Sequence, residues 1–90
     1  MSLSESPRVA AIRAALEAAF SPFSLTIVDE SHKHAGHAGA RDGRGHFKVA
    51  LVSEKFAGML PLARHRAVYA ALGSLMQTDI HALSIDARQP

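Results

Sequence analysis

Apolar side chains recur along this chain with a period that switches between that of a helix and that of a strand. Val9, Ile12, Leu16, Ala19 and Phe20 return at three- and four-residue spacings, with Arg8, Arg13 and Glu17 off the stripe. That is the signature of a helix burying one side. Ser6-Pro7 opens it, because the serine hydroxyl can accept from a free backbone N–H and proline lacks a donor the first turn does not need. Ser21-Pro22 stops it. Residues 23–30 alternate, Leu25 and Ile27 against Thr26 and Val28, and predict a strand. Residues 31–45, SHKHAGHAGARDGRG, carry no apolar period and predict a flexible loop. Residues 46–53 form a second strand, with Phe47, Val49 and Leu51 opposite Lys48. Gly58 and Pro61 mark a turn, a second helix follows over about 61–77, and a third strand over 80–87.

Two strands joined by a loop imply an antiparallel pair. Strand, helix, strand implies a right-handed crossover that returns the third strand parallel to the second. The order helix–strand–strand–helix–strand predicts an α+β fold: one domain over 1–90 with its core at about 6–87. Three strands form a mixed sheet with the helices on one face.

The second helix carries the triplet Arg64-His65-Arg66. At about 100° per residue, His65, Val68, Tyr69, Leu72, Leu75 and Met76 fall within one arc, and the two arginines flank it on opposite rims. This wheel predicts that His65 lies at the edge of the core. Arg64 and Arg66 then cover apolar surface or pair with acids. The competing reading is a helix-turn-helix that reads a major groove through Arg64, His65 and Arg66, with Lys55 nearby.

Composition narrows the field. At 48% hydrophobic and 20% charged the chain has the make-up of a folded globule. A net charge of +2 gives no strong basic stripe. No apolar run is long enough to span a bilayer. Cysteine is absent, which removes disulfides, thiolate nucleophiles and cysteine-only metal sites. A cytoplasmic location fits a chain without disulfides.

Histidine is abundant, with six residues, and three of them (His32, His34 and His37) crowd one stretch of the loop. Imidazole binds zinc, copper and nickel, so this spacing can chelate a metal. His81 opens the third strand and shares the parity of Leu83 and Ile85, yet sits where a side chain can reach solvent at the end of the sheet. With His34 folded back towards it, the two rings would supply half a metal site, to be completed by a partner. No serine lies in the context of an activated hydroxyl. Asp29 and Glu30 face opposite sides of a strand. Gly43 and Gly45 precede a strand rather than the helix a phosphate loop requires. The reading is non-catalytic.

The remaining string matches accumulate in order: Asp29-Glu30-Ser31, His34, His46-Phe47, Val52-Ser53, and Phe56-x-Gly58 followed by Arg64-His65-Arg66-x-Val68-Tyr69. Ile80-His81-Ala82-Leu83-Ser84 completes them. With these the chain resembles the BolA-like proteins over nearly its whole length, in the branch whose loop ligand is histidine. The resemblance implies a fold related to class II KH domains. It also implies partnership with a monothiol glutaredoxin and a shared [2Fe–2S] cluster, in iron–sulfur trafficking or iron and redox regulation. There the glutaredoxin and bound glutathione supply thiolates, and His81 and His34 supply imidazoles. His37, His32 and His46 are the further candidates for the loop ligand. Imidazole in place of thiolate raises a cluster's potential, as in Rieske centres. Family members are also described as DNA-binding transcriptional regulators. The turn at 56–59, FAGM, lacks the second glycine of the GxxG clamp through which a KH module holds a nucleotide backbone. The chain is expected to be a monomer or a weak homodimer, with no cluster bound by the isolated chain.

Overall fold

The computed structural model describes residues 5–34 and 43–90. Helix α1 spans Pro7–Phe20, strand β1 Ser24–Asp29, strand β2 Gly45–Val52, helix α2 Pro61–Leu72, helix α3 Leu75–Thr78 and strand β3 Ile80–Arg88. Single 3₁₀ turns cover Ser31–His34 and Glu54–Phe56. The sheet order is β1-β2-β3, antiparallel between β1 and β2 and parallel between β2 and β3, as the connections require.

The start of α1 follows from its sequence. The Ser6 hydroxyl accepts from the N–H of Val9, satisfying one of the orphan donors of the first turn. At the other end Ser21 takes a left-handed conformation, φ 42°, and its N–H closes onto Glu17 O. Val9, Ile12, Leu16 and Phe20 are buried as the stripe predicts, while Ala19 is exposed. They pack on Phe47, Val49 and Leu51 of β2, with Val68 and Leu72 of α2, Phe56 and Ile80 completing the core.

Phe56 is wholly buried, its ring centroid 4.8 Å from that of Phe20. Ser53 is the buried polar residue of this core; its hydroxyl donates to Phe20 O at 2.6 Å and accepts from the N–H of Lys55. One side chain thereby satisfies the end of α1 and the turn after β2, as a buried hydroxyl must.

Two helical expectations are corrected. The predicted helix over 61–77 is broken into α2 and α3, because Gly73 takes a positive φ of 53° and ends α2. His65 is exposed and does not lie at the core edge. The contact face of α2 is centred on Val68 and Leu72 and flanked by Arg64, Ala67 and Ala71. The alanines let the helix backbone come close to its neighbours. Tyr69, 42% exposed, falls outside that face, as do Leu62, His65 and Arg66. The observed face lies roughly 70° round the helix from the predicted arc, turned towards Arg64, Ala67 and Ala71.

Candidate metal-ligand site

Only one face of the sheet is covered by helices. The uncovered face carries Ser24, Thr26 and Val28 of β1, His46 and Lys48 of β2, and Ala82 and Ser84 of β3, placed there by the pairing register. At its β2–β3 end the ladder is irregular: Gly45 pairs with Ile80, but His46 pairs with Ala82. His81 is the extra residue of a bulge. Such an insertion breaks the two-residue alternation and re-aims one side chain. Ile80 is therefore buried, Leu83 and Ile85 pack against the core, and His81 is exposed. The expectation that His81 shares parity with Leu83 and Ile85 is thus corrected. Unbroken alternation would have turned it towards the helices.

Several contacts fix the bulge. The N–H of Gly45 donates to Asp79 O at 2.8 Å, and the N–H of Glu30 donates to His46 O at 2.8 Å. The N–H of His46 donates to the Ser31 hydroxyl at 3.0 Å. Gly45 is packed so closely that a Cβ there would lie 2.6 Å from the Phe47 ring and 2.6 Å from Ser31 Oγ. Only glycine fits. Asp79 is bound in turn by the Thr78 hydroxyl and by Arg8 Nε at 3.2 Å, which ties α1 to the start of β3. The Thr78 hydrogen bond and, against some desolvation, the Arg8 guanidinium hold the Asp79 carboxyl below its ordinary value.

The result is a pair of imidazoles, His46 and His81, with ring centroids 5.2 Å apart and planes tilted by 51°. The Nε2 atom of His46 is buried, whereas the His81 side chain is exposed, so His81 is the ring open to an approaching group. Arg44 Nη2 lies 3.3 Å from His81 Nδ1. Beside the pair, a shallow concavity of about 260 Å³ on the uncovered sheet face is lined by Glu30, His46, Ala82 and Ser84.

Of the other expected ligands, His32 is exposed in the 3₁₀ turn that follows β1. The side chain of His34 and the whole of His37 lie outside the described residues. Among the described residues, no three histidine or carboxylate side chains gather as a metal group. The donor set on view, one exposed neutral-type nitrogen ligand beside a second imidazole, fits one part of a coordination shell rather than a closed site. Arg44, Ser31 and Gly45 went unrecognised by sequence reasoning. Their roles depend on a register shift that no string of letters displays.

The triplet does not act as a unit. Arg64 is half-buried, donating from Nε to Met59 O at 2.9 Å and from Nη1 to Ala87 O at 3.1 Å. His65, Arg66 and Lys55 are exposed. No helix among the described residues is long and apolar enough to cross a membrane.

Comparison with known proteins agrees with this architecture. The chain is 49% identical over 84 residues to BolA-like protein 1 of Mus musculus, spanning 93% of this chain and 59% of that protein. It is 46% identical over 70 residues to the DNA-binding transcriptional regulator BolA of Escherichia coli, spanning 78% of this chain and 64% of that one. The chain thus spans about three fifths of the length of these curated relatives. The structure of BolA1 from Arabidopsis thaliana superposes with a TM-score of 0.82 at 40% identity, covering 97% of this chain and 96% of that one. The family model described as BolA-like protein matches residues 16–90, a stretch that runs from the middle of α1 through the bulge in β3, and the chain belongs to that family.

Proposed function

We propose that the chain is a non-catalytic adaptor that binds a monothiol glutaredoxin and shares a glutathione-ligated [2Fe–2S] cluster with it. Iron–sulfur trafficking, or iron and redox regulation, in the cytoplasm is the process it serves. The observation that carries this reading is the bulge that turns His81 outwards beside His46. An exposed imidazole on a rigid strand is a ligand offered to a partner, and the chain has no cysteine of its own to complete a cluster site. His81 is the first ligand and a histidine of the 31–45 loop, or His46 at the start of β2, the second, with His34 ahead of His37, His32 and His46. The cluster, when bound, supplies one-electron chemistry. The chain's part is to hold an imidazole at the right place and to present a matching surface.

The test mixes the protein with cluster-loaded monothiol glutaredoxin and follows visible absorption and circular dichroism. His81→Ala should change the spectrum of the mixed complex; an identical spectrum sinks the ligand assignment.

A second reading, DNA-binding regulation, is favoured by the exposed side of α2, where His65 and Arg66 stand beside Tyr69, and by likeness to the E. coli DNA-binding transcriptional regulator BolA. Its carriers are His65, Arg66 and Lys55 rather than Arg64, whose donors are engaged within the fold. Binding of this kind weakens steeply with salt through counterion release. Promoter-specific retention that survives His65→Ala/Arg66→Ala would rule out this surface.

A further inference from the structure

Arg44 stands just ahead of β2, half-buried, with its Nη2 atom 3.3 Å from Nδ1 of His81. The direction of this hydrogen bond is fixed by chemistry. A guanidinium carries donors only, so the ring nitrogen facing it has to be the acceptor. Neutral imidazole has one donor and one acceptor nitrogen, and the proton of His81 is therefore on Nε2.

We propose that Arg44 gates His81, holding the ring in a tautomer that cannot ligate a metal until the arginine leaves. This rests on reading His81 as a ligand. A metal at Nδ1 takes the lone pair that Arg44 occupies. A metal at Nε2 needs that nitrogen unprotonated; solvent removes its proton and returns one to Nδ1, leaving the ring neutral. The new Nδ1–H then points at an N–H of Arg44. Metal-bound histidines ordinarily donate their second ring N–H to an acceptor, and Arg44 cannot be one. Both routes evict the guanidinium. An imidazolate, stripped of both protons, is the only form that keeps Arg44 and a metal together.

The arrangement leaves the exposed ring of His81 reachable but capped at Nδ1, and makes displacement of Arg44 a step in loading. It also separates Arg44 from a merely structural arginine, since what matters is its inability to accept. Lysine at position 44 keeps the donor-only character. Glutamine can turn its amide oxygen towards Nδ1–H and support ligation through Nε2.

The test uses the full chain with Zn²⁺ as the probe and ¹⁵N-labelled histidine. Long-range ¹H–¹⁵N spectra read the tautomer of His81 in the metal-free protein, and its ring signals follow a Zn²⁺ titration. His81→Ala assigns the signals. The expected result is an unprotonated Nδ1 in the wild type and in Arg44→Lys. Zn²⁺ binding at His81 should be ~3–10-fold tighter in Arg44→Ala and Arg44→Gln than in these two, the scale of one hydrogen bond removed from competition. A wild-type Nδ1 that carries the proton overturns the proposal. So do equal affinities in wild type and Arg44→Ala, or no Zn²⁺ at His81 in any variant. Weaker binding in Arg44→Ala overturns it as well, because Arg44 would then support an imidazolate ligand. Failure of the glutaredoxin reading appears separately, in the cluster spectra of His81→Ala.

Discussion

Arg64 and Ala87 are joined across the fold: the guanidinium on the first turns of α2 donates to the carbonyl oxygen near the end of β3 at 3.1 Å. The same side chain donates to Met59 O ahead of its own helix. Arg64→Ala leaves two carbonyls without a charged donor, and about 1–3 kcal/mol of stability should be lost. Arg66 is exposed, and Arg66→Ala should stay within about 0.5 kcal/mol of the wild type. Chemical denaturation of the two variants checks the contrast. Any loss of DNA binding seen in an Arg64 variant has to be read against its stability.

Gly45→Ala tests the close packing beneath the bulge. The added Cβ meets the Phe47 ring and Ser31 Oγ, so the strand has to move, at a cost of about 1–3 kcal/mol. The amide resonances of His46 and His81 should shift together in two-dimensional NMR spectra. A variant with wild-type stability and unmoved resonances would show that the bulge does not depend on this glycine.

Ser53→Ala removes a buried donor from Phe20 O and an acceptor from the N–H of Lys55. The partners are the last residue of α1 and the 3₁₀ turn after β2, and the expected loss is about 1–3 kcal/mol. Thermal unfolding followed by circular dichroism measures it.

Asp79 predicts an acid response. Its carboxyl is held below the ordinary value, chiefly by the Thr78 hydroxyl and then by Arg8. A depressed carboxyl contributes stability above its unfolded-state value, and that contribution disappears as the pH falls through the folded-state value. Urea unfolding at pH 7 and at successive steps below pH 4 should show the wild type losing stability in acid. Asp79→Asn should be less stable at pH 7 and show a flatter acid limb; parallel curves for the two proteins would exclude Asp79 as a source of the slope.

The sheet and α1 were legible because their periods are clean. Val9, Ile12, Leu16 and Phe20 sit on one helical stripe, and Phe47, Val49 and Leu51 alternate without interruption. The strand directions followed from connection rules alone. Alpha-helical facing was less readable in α2, where alanines outnumber large apolar residues and a tyrosine mimics one. The site was half legible. His81 could be singled out by residue type and position, but its direction depended on a one-residue bulge, and parity counting pointed it the wrong way. His46 is a secondary candidate in the sequence, yet its 5.2 Å approach to His81 comes from that same register shift. Arg44 carried no signal at all, because an arginine in a glycine-rich stretch, here one of two with Arg41, has no partner visible in sequence.

The central place of β2 also sets an order of assembly. β1 and β2 pair across one loop, whereas β3 pairs with β2 across the longer crossover that holds α2 and α3. Contacts distant in sequence form late because loop closure must come first. The bulge, and with it the outward His81, is therefore among the last features to appear as the chain folds. A newly made or partly unfolded chain has its histidines in sequence but not yet the approach of His46 to His81 that the register shift creates.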